Sequence, residues 1–185
     1  MTTTRHRYRA RMRWESLFAD MEAQLAAGRL ADVRADVAEL ARAERASITL
    51  AARARASVGR PVRMLVGGDD VVEGELVDAA PEWLLLATSP VRRALVPLAA
   101  ATAVDGLVGH AAPAPGAVES RLGLGHALRA LARDRAVVRV RAGDADLTGR
   151  IERVGADHLD LADVDGARRG GWAVAFTTLR VVQTG

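Results

Sequence analysis

The chain has 185 residues, 26 basic side chains against 23 acidic ones, and no cysteine. That length suits one domain or two small ones, and half of the residues are hydrophobic, which is enough for a core. The missing cysteine excludes disulfides, thiolate zinc sites, iron–sulfur ligation and cysteine nucleophiles.

All the basic side chains are arginine, and lysine and asparagine are absent, a bias that a GC-rich bacterial genome accounts for. The charge is uneven: +5 over residues 1–13, −1 over 14–58, −3 over 59–108 and +2 over 109–185. No apolar run approaches the roughly 18 residues of a membrane span. The arginine-rich start is not followed by the apolar segment of a secretory signal. A cytoplasmic protein with no membrane span is expected.

Residues 1–13 read as a flexible basic arm. Trp14, Leu17, Phe18, Met21 and Leu25 then repeat at helical spacing. Gly28 suits a helix C-cap, and a second helix is expected from about Leu30 to Ser57, ending at Gly59-Arg60-Pro61. Residues 14–58 should therefore form a helical hairpin. Its apolar faces are narrow and alanine-rich, so close packing or a partner is needed to bury them.

From Pro61 the period changes to two. Strands are expected at Val62–Val66, Val71–Asp78, Trp83–Ala87, Ala94–Leu98 and Ala101–Val104, with a turn at Gly67-Gly68-Asp69-Asp70 and a bend or bulge at Gly74. Five short strands in residues 59–107 suit a small barrel, whose closure removes open edges. Residues 108–117 form an Ala/Pro/Gly linker, and residues 118–185 hold a helix at about Ser120–Arg133, with Ser120 as N-cap, before the strand pattern returns.

The second strand set repeats the first. Leu147-Thr148-Gly149-Arg150-Ile151 matches Val72-Glu73-Gly74-Glu75-Leu76, and His158-Leu159-Asp160-Leu161 matches Trp83-Leu84-Leu85-Leu86 at the same shift. After a short insertion, Trp172-Ala173-Val174-Ala175-Phe176 matches Ala94-Leu95-Val96-Pro97-Leu98. Ungapped blocks in one order indicate an internal duplication of a helix plus five strands.

This unit resembles the Sm-like (Hfq/LSm-like) superfamily. The resemblance rests on Pro61-Val62-Arg63-Met64-Leu65-Val66, Val72-Glu73-Gly74-Glu75-Leu76-Val77 and Trp83-Leu84-Leu85-Leu86, and in the second copy on Val138, Val140, Gly149, Ile151, Leu159 and Leu161. It implies two Sm-like five-stranded β-barrels, each preceded by a helix; with the N-terminal helical hairpin, which lies outside the resemblance, the expected fold class is α+β. A pair of independent SH3-like barrels is the alternative. It also implies RNA as a partner. The family's RNA-contacting motifs are not matched, however: the corresponding loops are Ala79-Ala80-Pro81-Glu82 and Val154-Gly155-Ala156-Asp157, then Pro97-Leu98-Ala99-Ala100 and Ala175-Phe176-Thr177-Thr178.

Two functions are consistent with these residues. The first is a non-catalytic nucleic-acid-binding protein. Its arm would offer Arg5, Arg7, Tyr8, Arg9, Arg11 and Arg13 to phosphates, and the second barrel Arg135, Arg139, Arg141, Arg168 and Arg169. Arg139 and Arg141 alternate with Val138 and Val140 and should point outward. The second is a protein-interaction scaffold docking through Trp14, Leu17, Phe18 and Met21, or self-associating through barrel edges or the hairpin. No enzyme, cofactor or metal is expected. His6, His110, His126 and His158 lie apart, no G-x-S-x-G occurs, and the aspartate pairs suit turns.

Overall fold

The computed structural model describes residues 3–68, 70–117, 121–164 and 171–184, with side chains from residue 18 onward. It divides into two units, Met1–Ser47 and Ile48–Gly185.

The first unit is one helix, α1 (Thr3–Ala46). At 1.5 Å per residue its 44 residues span about 66 Å. The expected hairpin is absent: Gly28 lies inside the helix, and the backbone from Thr3 onward is helical where a flexible arm is expected. A glycine in a helix costs only about 1 kcal/mol relative to alanine. The flanking Gln24-Leu25-Ala26-Ala27 and Arg29-Leu30-Ala31 are strong helix formers that carry the helix through it.

The second unit opens with a short helix, α2 (Leu50–Arg55), whose first turn is capped by Thr49 accepting from the amide of Ala52 at 3.2 Å. Five strands follow: β1 (Pro61–Leu65), β2 (Val71–Ala79), β3 (Trp83–Ala87), β4 (Arg93–Pro97) and β5 (Ala103–Asp105). Then come α3 (Leu124–Arg133) and five more: β6 (Val137–Ala142), β7 (Ala145–Val154), β8 (His158–Asp163), β9 (Trp172–Ala175) and β10 (Leu179–Thr184). Helices and antiparallel strands thus coexist, as the α+β reading expects.

The strand pairings recur between the halves. Val62 opposite Gly74 returns as Val138 opposite Gly149, Leu84 opposite Val96 as Leu159 opposite Val174, and Met64 opposite Val104 as Val140 opposite Val182. Even the bulges coincide, between Leu76 and Asp78 on β2 and between Ile151 and Arg153 on β7. The bulge falls past Gly74, where the sequence suggests it. Gly74 and Gly149 serve a different need: a Cβ at either would strike a carbonyl oxygen, of Ala87 or Ala162.

The ten strands are not two separate barrels. They form one open antiparallel sheet, ordered β5-β1-β2-β3-β4-β10-β6-β7-β8-β9. The seam is β4 against β10, with Leu95 opposite Val182, Ala94 opposite Gln183 and Arg93 opposite Thr184. The two hydrophobic cores interlock across it. Val181 joins the first core, with Met64, Leu76, Leu84 and Leu86, while Trp83 and Leu95 join the second, with Leu128, Leu159 and Leu161.

The linker segment at 108–117 is tied to α2 and its C-terminal turn at Val108 and Ala112. Arg53 Nε donates to the carbonyl of Val108 at 2.8 Å, the Val108 amide donates to Ser57 Oγ at 3.0 Å, and the Ala112 amide donates to the Ala52 carbonyl at 3.0 Å. Ser120 lies outside the described residues. The N-cap position of α3 is Gly123, and the cap is supplied from the first half: Glu82 Oε2 accepts from the Leu124 amide at 2.7 Å. Beside it, Trp83 Nε1 donates to the Leu122 carbonyl at 2.8 Å.

Candidate functional site

Two of the arginines expected on the second half's surface, Arg139 and Arg141, are matched by carboxylates. Arg139 on β6 grips Asp146 on β7, its Nε lying 2.8 and 3.0 Å from the two carboxylate oxygens and its Nη2 also in contact. The hydrogen bond to Asp146 raises the Arg139 pKa, and the same bond holds the Asp146 carboxyl below its ordinary value.

Arg141 does not point freely into solvent. Its side chain is only 19% exposed, because Nη1 lies 2.7 Å from Asp70 Oδ1, an aspartate in the turn between β1 and β2. Arg180 approaches the same carboxylate at 3.9 Å and Asp144 at 3.5 Å. Asp70 of the first half is thus clamped by two arginines of the second. The alternation along β6 is real, but the fused sheet brings the first half's turn over one of its faces.

Arg135 follows α3 in the left-handed region, at φ 51°, and is exposed. Arg168 and Arg169 lie outside the described residues. Arg5, Arg7, Tyr8, Arg9, Arg11 and Arg13 lie on the α1 backbone, as do Trp14 and Leu17, and their side chains lie outside the described residues. In a helix, positions two apart are turned by about 200°, so the five arginine positions form two rows, 5/9/13 and 7/11. Phe18 and Met21 are exposed, as are Leu25, Leu30, Val33, Val37 and Leu40 further along α1, with Leu40 70% exposed.

The sheet ends form the second candidate surface. β9 at one end and β5 at the other occupy the same places in their halves as β4 and β10 do at the seam. Trp172 on β9 is 50% exposed, whereas its counterpart Ala94 is fully buried in the seam. Which two strands meet at the seam is not legible locally, since α3 and five further strands separate β4 from β10.

A cleft of about 470 Å³, with polar and apolar lining in equal parts, lies at the seam. Thr88, Ser89 and Arg92, from the turn joining β3 to β4, form one wall, and Val138, Arg139, Thr148, Gln183 and Thr184 the other. At the free β5 end a shallower hollow of about 320 Å³ is lined by Val62, Arg63, Glu73, Asp105 and Gly106, the counterparts of that second wall.

His158 occupies the position of Trp83, with Nδ1 at 2.8 Å from Asp157, and this bond lowers the Asp157 carboxyl. Among the described residues no group of three His, Asp or Glu side chains could hold a metal ion. No described helix is long and apolar enough to cross a membrane. Comparison of the sequence with protein-family models and with curated proteins finds no match.

Proposed function

We propose that the protein is a non-catalytic assembly module, a cytoplasmic scaffold whose chains join end to end through their sheet edges while α1 offers an apolar face to a partner. The observation that carries this reading is the seam. The strand pair that joins the halves, β4 with β10, has its two counterparts, β9 and β5, at the open ends of the same sheet. An exposed edge carries unpaired backbone donors and acceptors and is a template for further pairing. A pairing of unlike edges is heterologous, so it propagates into a ring or a filament. The helix followed by five strands in each half supports an Sm-like relationship as part of this reading.

Transferring the seam register to the ends places Trp172 opposite Asp105 of the next chain, as Ala94 stands opposite Gln183. Trp172→Glu then sets two carboxylates face to face. Sedimentation of the full chain should show a smaller species for this variant than for the wild type, with recovery in Trp172→Glu/Asp105→Arg. Identical sedimentation of the wild type and the single variant overturns the reading.

A second reading is nucleic-acid binding, with RNA the expected class, and it is favoured by one observation: five arginines with no acid lie within residues 1–13. Arg139 and Arg141 contribute little to it, being committed to Asp146 and Asp70. Filter binding of single-stranded RNA should weaken by close to one unit of log affinity per log salt for each phosphate neutralised, and should disappear on deletion of residues 1–13. Full affinity after that deletion removes the reading.

A further inference from the structure

The seam cleft differs from its counterpart at the β5 end in two respects. It has a second wall, and it has lost its acids. Where the β5 end carries Glu73 and Asp105, the cleft has Thr148 and Gln183, and where that end has Gly106 the cleft has the Thr184 hydroxyl. The backbone scaffold is shared, as Arg63 opposite Asp105 and Arg139 opposite Gln183 show. Two carboxylates have therefore been exchanged for neutral donors at the one copy of this surface that the chain itself completes.

The added wall brings a cation. Arg92 lies on a turn whose conformation is fixed from beneath: Arg93 Nη1 donates to the carbonyls of Ser89 at 3.0 Å and Arg92 at 3.1 Å, and the Arg92 amide donates to Ser89 Oγ at 3.1 Å. No ion pair is formed by the Arg92 guanidinium among the described residues. Opposite it stands Arg139, paired with Asp146 through Nε and Nη2. Arg92, Arg139, Thr88, Ser89, Thr148, Gln183 and Thr184 thus line one cleft.

We propose that this cleft binds a phosphate ester of nucleotide size, its anionic oxygens taken by Arg92, whose guanidinium forms no ion pair among the described residues, and its remaining polar groups by the threonine and serine side chains of the lining. Guanidinium forks match phosphate oxygens geometrically, and hydroxyls can donate or accept as the ester requires. The volume of about 470 Å³ falls in the usual range for small-ligand sites and exceeds what inorganic phosphate alone would fill. The site depends on neither the sheet ends nor the α1 arginines.

Isothermal titration of the full chain with inorganic phosphate, adenosine 5′-monophosphate and a short single-stranded RNA tests this. The mononucleotide should bind more tightly than phosphate. RNA binding without mononucleotide binding would assign the ester to a strand, provided the variants below abolish it. Arg92→Gln should weaken binding at least about tenfold, roughly one lost charge-assisted hydrogen bond. Thr148→Glu, which recreates the acidic β5-end surface on an exposed position, should do the same, while Arg63→Gln should leave binding unchanged. Circular dichroism confirms that each variant folds. No binding of any of the three probes, or binding indifferent to Arg92→Gln and Thr148→Glu, overturns the assignment.

Discussion

Arg141 of β6 reaches across the seam to Asp70, Nη1 to Oδ1 at 2.7 Å, and so ties the turn of the first half to the second half's first strand. The pair is partly buried, with side-chain exposures of 19% and 33%, and Arg141 Nε is buried without a hydrogen-bond partner. Removing the carboxylate would leave a desolvated guanidinium without its counter-charge. Asp70→Ala should therefore cost about 1–3 kcal/mol in urea unfolding, less than a fully buried pair. Adding Arg141→Met should return part of that loss, because the unpaired charge goes with it.

Asp146 provides a pH marker. Its pKa is lowered mainly by the Arg139 hydrogen bond, so the stabilisation from this pair is fully present at neutral pH, above the ordinary carboxylate value. It is lost progressively as the pH falls from that ordinary value through the depressed folded one. An NMR titration should find the Asp146 midpoint below the usual value of about 3.9, and Arg139→Gln should move it back up toward that value.

Glycine substitutions should divide by location. At Gly28 an added methyl meets no atom within 4 Å, so Gly28→Ala should raise α1 helicity, by about 1 kcal/mol of propensity. At Gly149 the same methyl would strike the Ala162 carbonyl and the Leu161 side chain, so Gly149→Ala should lower the melting temperature of the strand unit. Thermal unfolding of the two variants gives opposite signs.

Glu82 caps a helix that belongs to the other half of the sheet, through the Leu124 amide. Glu82→Ala should cost about 1 kcal/mol in chemical denaturation, in line with loss of a helix cap. Amide exchange at Leu124 should speed up more than at Leu128, deeper in α3.

What the sequence shows of this fold depends on the range over which each determinant acts. The strands and their repetition are legible because alternation such as Val62/Met64 or Val138/Val140 is local, and because the same spacings occur twice. The continuity of α1 is not: Gly28 looks like a stop, and only the surrounding alanines and leucines decide that its modest cost is absorbed. The seam is hidden because β4 and β10 are far apart in the chain and any open edge with the same alternation would serve. Arg141 shows the consequence, since the strand pattern gives its side of the sheet but not the aspartate brought there from the first half. The cap from Glu82 and the hydroxyl-rich cleft are hidden for the same reason, since both are assembled from residues of the two halves.

The segment held along α2 at Val108 and Ala112 bears on how two chains can exchange parts. Arg53 holds the Val108 carbonyl at 2.8 Å, Ser57 takes its amide, and Ala112 is pinned to Ala52, so the crossover leaves the first half along a fixed track. Swapped dimers, in which one molecule's C-terminal half settles on another's N-terminal half, need a connector free to swing outward. Here that freedom would cost these hydrogen bonds, so the fold favours closing the seam within the molecule on which it is synthesised.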